Sequence, residues 1–161
     1  ILDNEAEYQR LAAIYQHSHD MFFIGRGQDS AICCEGSLKL KEISYMHSEA
    51  YAAGELKHGT ISLIDKGVPV VAVSTTMRLR EKTISNVKEV NARGADVLFV
   101  TQFDDFKNDF YKNIIKLPSL DEFVMPVLAI VPLQLFAYYT AIDRGCDVDK
   151  PRNLAKSVTV E

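Results

Sequence analysis

The sequence predicts an α/β fold, a three-layer αβα sandwich around a mostly parallel, flavodoxin/Rossmann-like sheet. Three observations predict it. Short apolar runs alternate with longer segments of helical spacing, the pattern of strands joined by crossover helices. Residues 68–73 form a continuous, largely β-branched run, as expected of a strand covered on both faces. Gly25-Arg26-Gly27 stands between an apolar run and a helical one, where a parallel strand turns into its helix.

Taken in order, residues 5–16 bring Leu11, Ile14 and Tyr15 to one side of an amphipathic helix. Residues 21–24 are a strand closed by the glycine turn, and Asp29 or Ser30 is suited to cap a helix running to about Ser44. A short segment at 48–51 leads into Gly54-Glu55-Leu56-Lys57-His58-Gly59. The strand at 68–73 is entered through Pro69. Residues 77–93 are helical by charge and by the spacing of Leu79, Ile84, Val87 and Val90, with Gly94 where a C-terminal cap belongs. Residues 97–100 and 114–117 read as strands. Residues 123–142 hold only Gln134 as a strongly polar residue and are long enough to cross a bilayer. Pro126, Pro132 and the adjacent Tyr138 and Tyr139 favour a helix buried in protein instead, and no membrane is expected as a partner. After Gly145 the apolar pattern stops, so residues 1–145 read as the domain and 146–161 as a tail that is either loose or folded over something.

The chain has 161 residues, 47% hydrophobic and 25% charged, enough to bury a core without disulfide or metal staples and too apolar for disorder. A net charge of -4 leaves no basic surplus for a nucleic acid backbone. Cys33, Cys34 and Cys146 form neither a disulfide framework nor a CxxC pair, which suits a reducing compartment, the cytoplasm. His17 and His19 have no further ligand at metal spacing, so no metal is expected. The first ten residues carry charges where a secretory signal needs an apolar core, and with no initiator Met the start reads as a fragment boundary.

A nucleotide fingerprint would need a third glycine at position 30, which is Ser30, so a tight turn is preferred to a dinucleotide site and no cofactor is expected. Ser74-Thr75-Thr76 either hold a phosphate or cap the following helix. On the helix ending near Ser44, Ile32, Gly36, Leu40 and Ile43 form an apolar stripe. Glu35, Lys39 and Glu42 lie beside it at spacings of four and three, Leu38 lies well round to its other side, and Ser37, Lys41 and Ser44 occupy the opposite, solvent-facing arc. Two readings of the charged row stay open. It is a Glu35–Lys39 helix pair with Glu42 solvated at the edge, or a general base beside an ammonium in a cleft. His58 is either merely exposed in its glycine-bounded loop or free there to reach a ligand. Lys156 is a surface amine unless the tail folds into the cleft, where desolvation and neighbouring cations would make it a nucleophile toward a carbonyl.

Glu35-Gly36-Ser37-Leu38-Lys39-Leu40-Lys41-Glu42-Ile43, the stretch from Glu49 through Gly54-Glu55-Leu56-Lys57-His58-Gly59, and the ending from Asp147 through Pro151-Arg152-Asn153-Leu154-Ala155-Lys156 to Glu161 resemble the glutamine:fructose-6-phosphate aminotransferases, or glucosamine-6-phosphate synthases. The resemblance covers nearly the whole chain. It implies that residues 1–145 are the second sugar isomerase (SIS) domain and that 146–161 are a C-terminal tail closing the active site. Such enzymes turn fructose 6-phosphate and ammonia from a glutaminase domain into glucosamine 6-phosphate.

Carried over by motif, Glu42 is the base moving a proton between C1 and C2, and Lys156 forms a Schiff base with the ketose carbonyl. His58 assists ring opening in a neighbouring subunit, which implies a homodimer, while Glu35 and Lys39 support the proton relay. Lys39, Glu42 and the backbone of Ala155 are the implied sugar contacts. The implied partners are a first SIS domain, which in the family grips the phosphate with a Ser-x-Ser-Gly-x-Thr type loop, and the glutaminase domain. Here Ser74-Thr75-Thr76 runs into Met77 and Arg78, so this chain by itself is expected to be inactive or nearly so. The alternatives are a non-catalytic phosphosugar-binding SIS module and a related SIS deglycase or isomerase. The charged row and tail lysine weigh against the first, the tail match through Glu161 against the second.

Overall fold

In the computed structural model, residues 1–104 and 110–154 are described. Nine main elements follow in order: α1 (Glu5–Tyr15), β1 (Asp20–Gly25), α2 (Gln28–Ser44), β2 (His47–Ala52), β3 (Pro69–Ser74), α3 (Arg80–Asn91), β4 (Asp96–Thr101), β5 (Asn113–Lys116) and α4 (Met125–Asp143). The five strands form one sheet in the order β2-β1-β3-β4-β5, and every pairing is parallel. The segment at 48–51 is the middle of edge strand β2. The helix expected over 77–93 opens as a 3-10 turn at Met77–Leu79 and is α-helical only from Arg80 to Asn91.

Because side chains alternate along a strand, the sheet separates two cores. Phe23, Val71, Val73, Leu98 and Val100 face the layer of α1, α2 and α4. Phe22, Ile24, Val70, Ala72, Val97 and Phe99 face the other side, where α3 and Leu56 cover them. Two covered faces leave no position for a polar alternation, which is why the strand runs are continuous.

Helix α4 has a mean hydropathy of 1.6 over its most apolar stretch. Met125, Ala129, Leu133, Phe136 and Ala137 are buried against α1 and α2. Pro126 sits in its first turn, where no intrahelical N–H is needed. Gly36 permits the close approach of α2 to α4, since a Cβ there would lie 2.6 Å from Leu133 Cδ1 and 3.3 Å from Phe23 Cε1.

The solvent-facing arc expected on α2 is corrected at two positions. Ser37 and Ser44 are buried, because the sheet-facing side runs through Asp29, Cys33, Ser37, Leu40 and Ser44. Their hydroxyls are satisfied locally, so burial is inexpensive. Ser37 Oγ lies 2.9 Å from Ser48 Oγ, and Ser44 Oγ donates to the Leu40 carbonyl at 2.6 Å.

Candidate functional site

In open parallel sheets ligands collect where the strand order reverses, at the carboxyl ends of the strands. Here the chain moves from β1 outward to β2 and then crosses back to β3, so the switch point lies between the β1–α2 turn and Ser74-Thr75-Thr76. Gly27, at φ 60, ends the first turn and starts α2. Asp29 does not cap that helix. Its fully buried carboxylate accepts the Thr75 N–H at 3.0 Å, the Thr76 N–H at 3.3 Å and the Thr75 hydroxyl. Two backbone donors of Ser74-Thr75-Thr76 are therefore held by a carboxylate of the chain itself, and Thr76, which precedes the 3-10 turn Met77–Leu79, makes no side-chain capping bond. Burial raises the Asp29 carboxyl above the usual carboxylate range, although the bonds from Thr75 and Thr76 pull it partly back. Neighbouring Cys33 is also buried, which pushes its thiol far up and leaves it inert.

The charged row lies on the flank of α2 turned away from the sheet. Lys39 Nζ is 2.7 Å from Glu42 Oε2 and 3.6 Å from Glu35 Oε1. The close partner is thus Glu42, with Glu35 farther off. The side chains of Glu42, Lys39 and Glu35 are 27%, 33% and 44% exposed, so the pairs contribute under about 1 kcal/mol to stability. Their effect on protonation matters more. The Glu42 hydrogen bond, with Glu35 and Glu42 charges behind it, raises Lys39 above the ordinary lysine value against a smaller desolvation effect, so it is an ammonium at neutral pH.

Two grooves flank this row. One, of about 490 Å³, has Glu42, Tyr45 and Met46 on one side and Arg152, Asn153 and Leu154 on the other. The second, about 520 Å³, is lined by Lys39 and Ile43 of α2, Val131 and Tyr138 of α4, and Val148 and Asp149. Residues 146–154 thus fold over the end of α2. They are tied there at both ends. Arg144 Nε donates to the Ser44 carbonyl at 2.9 Å and its Nη1 to the Gln16 carbonyl at 2.5 Å. Eight residues on, the Arg152 N–H donates to the Tyr45 hydroxyl at 2.7 Å.

The structure therefore brings Glu35, Lys39 and Glu42 together and does not join His58 to them. That residue ends the 3-10 turn Glu55–His58, with its side chain 76% exposed and Nε2 3.9 Å from Glu55 Oε2. It lines neither groove beside the charged row. Ala155 and Lys156 lie outside the described residues. Sequence reasoning missed Asp29 as an acceptor and Tyr45 altogether, and it quoted Arg152 in the tail motif without giving it a role. The available signal for Tyr45 was its position directly after Ser44, where a helix ending in the left-handed region ordinarily has glycine or asparagine.

A protein-family model described as SIS domain matches residues 14–144. The glutamine--fructose-6-phosphate aminotransferase [isomerizing] of Caldanaerobacter subterraneus subsp. tengcongensis is 53% identical, the match covering 100% of this chain and 27% of that protein. The chain thus spans little more than a quarter of that curated relative. Among solved structures, the C-terminal domain of glucosamine-fructose-6-phosphate aminotransferase from Francisella tularensis is 39% identical with a TM-score of 0.88, over 92% of this chain and 42% of that one. The glucosamine-6-phosphate deaminase of Thermotoga maritima is 26% identical with a TM-score of 0.69, over 96% and 45%.

Proposed function

The chain belongs to the SIS-domain family, and from that premise we propose that it is the second SIS domain and C-terminal tail of a glutamine–fructose-6-phosphate aminotransferase. The observation that carries the reading is the Lys39 ammonium lodged between Glu35 and Glu42, beside a groove whose far wall is the tail through Leu154.

The chemistry required is a ketose-to-aldose rearrangement with an amine at C2. Condensation of an amine with the C2 carbonyl of fructose 6-phosphate releases water and acidifies the C1 hydrogens. Ammonia then replaces that amine, a carboxylate takes a proton from C1, and a proton is delivered to C2 as the C1 hydroxyl becomes the aldehyde. Glu42 is the carboxylate. Lys39, whose ammonium form is favoured by its hydrogen bond to Glu42, is poorly suited to supply the free amine for the imine. It keeps positive charge against Glu42, with Glu35 sharing it. The imine-forming amine falls to Lys156, two residues beyond Leu154. Ala155 offers its backbone to the sugar, and His58 opens the sugar ring in the site of a second copy, a role consistent with its exposure here. The phosphate is held by a first SIS domain in the parent chain, in keeping with the occupation of the Thr75 and Thr76 N–H groups by Asp29.

The test uses the full-length parent. Lys156→Ala abolishes glucosamine 6-phosphate synthesis and leaves glutamine hydrolysis measurable, while Glu42→Gln lowers kcat about 100-fold or more. Sugar-phosphate binding without turnover in the two-SIS-domain protein would instead support a sensor module.

A further inference from the structure

Tyr45 ends α2 in the left-handed region, at φ 58 and ψ 18. With Asn153 it is one of two non-glycine residues at positive φ among the described residues. Asparagine tolerates that conformation; a tyrosine pays for it in backbone strain, and the helix end by itself would favour glycine. What the tyrosine adds lies entirely in its side chain. The hydroxyl accepts the Arg152 N–H at 2.7 Å, and the Arg152 guanidinium lies over the ring, 4.1 Å from its centroid. Both αL residues thus flank one contact, made across 107 positions of sequence.

The strap arriving at this contact is itself ordered, since Asp147 Oδ1 accepts the N–H groups of Asp149 and Lys150 at 3.0 and 3.1 Å. Past the contact, Asn153 and Leu154 form the wall of the groove facing Glu42, three residues before Tyr45 on the last turn of α2. The route of the strap past Glu42 therefore depends on where Arg152 is held.

We propose that Tyr45 is a positioning residue for sugar isomerisation: its ring and hydroxyl pin Arg152, and so fix the strap beside the Glu42 carboxylate. The proposal rests on the function proposed above, in which the amine of Lys156 follows the pinned segment. Tyr45 touches no reacting atom. Its substitution misplaces the strap and leaves the rest of the lobe intact.

The sharpest variant is Tyr45→Gly in the full-length parent, because it removes the pin and relieves the backbone at once. The expected result is an unchanged or raised melting temperature of the isomerase half and unchanged glutamine hydrolysis. Synthesis kcat falls about tenfold, with a smaller change in KM for fructose 6-phosphate, and trypsin cuts the Arg152–Asn153 bond about tenfold faster. Tyr45→Phe, which keeps the ring under the guanidinium, recovers part of both losses. Wild-type kcat or an unchanged cleavage rate in Tyr45→Gly overturns the proposal, as does a fall in melting temperature that accounts for the lost activity. Lys156→Ala separates the two ideas. If it abolishes synthesis while Tyr45→Gly has no effect, only the pin is wrong; if it retains synthesis, the function assigned to the tail is wrong, and the tryptic result still reports whether Tyr45 holds Arg152.

Discussion

Asp29→Ala removes the acceptor for the Thr75 and Thr76 N–H groups at the switch point of the sheet. A buried N–H without an acceptor costs about 1–3 kcal/mol, and two are orphaned together. Loss of the carboxylate's own desolvation offsets part of this, and water can reach part of the vacated space. The net cost is about 2–4 kcal/mol, or about 6–12 °C in melting temperature for a chain of this length. Asp29→Asn is the informative control. Its amide oxygen can accept both N–H groups, and its NH2 can donate to the Thr75 hydroxyl, which turns to accept. It should stay within about 1 kcal/mol of the parent chain at neutral pH.

The pair also differ with pH. Burial raises Asp29 above its ordinary value of 3.8, so the folded chain keeps the proton to higher pH than the unfolded chain does. This contribution to stability is fully present below 3.8 and is lost as pH rises through the raised folded value. Asparagine, which does not titrate, removes that slope. Thermal unfolding across the acid range up to neutral pH reads all three forms. A melting temperature for Asp29→Ala within about 2 °C of the parent, or a loss in Asp29→Asn as large as in Asp29→Ala, would refute the argument.

Two further outcomes follow from packing and helix ends. Gly36→Ala inserts a methyl 2.6 Å from Leu133 Cδ1 between α2 and α4, and is expected to destabilise by about 1–3 kcal/mol, read as a lower urea midpoint; Leu133→Ala in the same chain should recover part of the clash. Arg144→Ala removes the donor to the Ser44 and Gln16 carbonyls at the ends of α2 and α1, and should cost about 1–2 kcal/mol and speed hydrogen exchange in the last turns of both helices; unchanged exchange there would show that water serves those carbonyls equally well.

The three central strands of the sheet were legible because they are covered on both faces, whereas the half-exposed edge strand β2 read only as a short segment. Residues such as Val70, Val71, Leu98 and Phe99 had to be apolar irrespective of register, and they stand out as unbroken runs. Helix α2 was legible in extent but not in rotation. Ser37 and Ser44 read as surface residues because residue type does not reveal that Ser48 and the Leu40 carbonyl will satisfy them. Asp29 was misread for a related reason: the local rule for an acidic residue at a helix start is capping, whereas its real partners lie 46 and 47 positions away. The cluster of Glu35, Lys39 and Glu42 was visible, since a helix fixes neighbours at three and four residues. Spacing could not reveal that Glu42 is the closer partner of Lys39, or that a strap from the far end of the chain would run beside it. The separation of His58 from that cluster could not be read from spacing, because nothing local sets the direction of a loop side chain; the family resemblance, which assigns it to a neighbouring subunit, is in keeping with it.

The engagement of Thr75 and Thr76 by Asp29 at the switch point has a practical consequence for anyone handling this lobe in isolation. Folds of this architecture usually carry their ligand in the mouth of the sheet, so an excised unit retains a complete receptacle. Here two backbone donors at that mouth already serve Asp29, and the charged row of Glu35, Lys39 and Glu42 sits instead on the outer skin of a helix, beside a ribbon of chain. A ligand titrated onto the lone lobe would meet an open shelf beside that row.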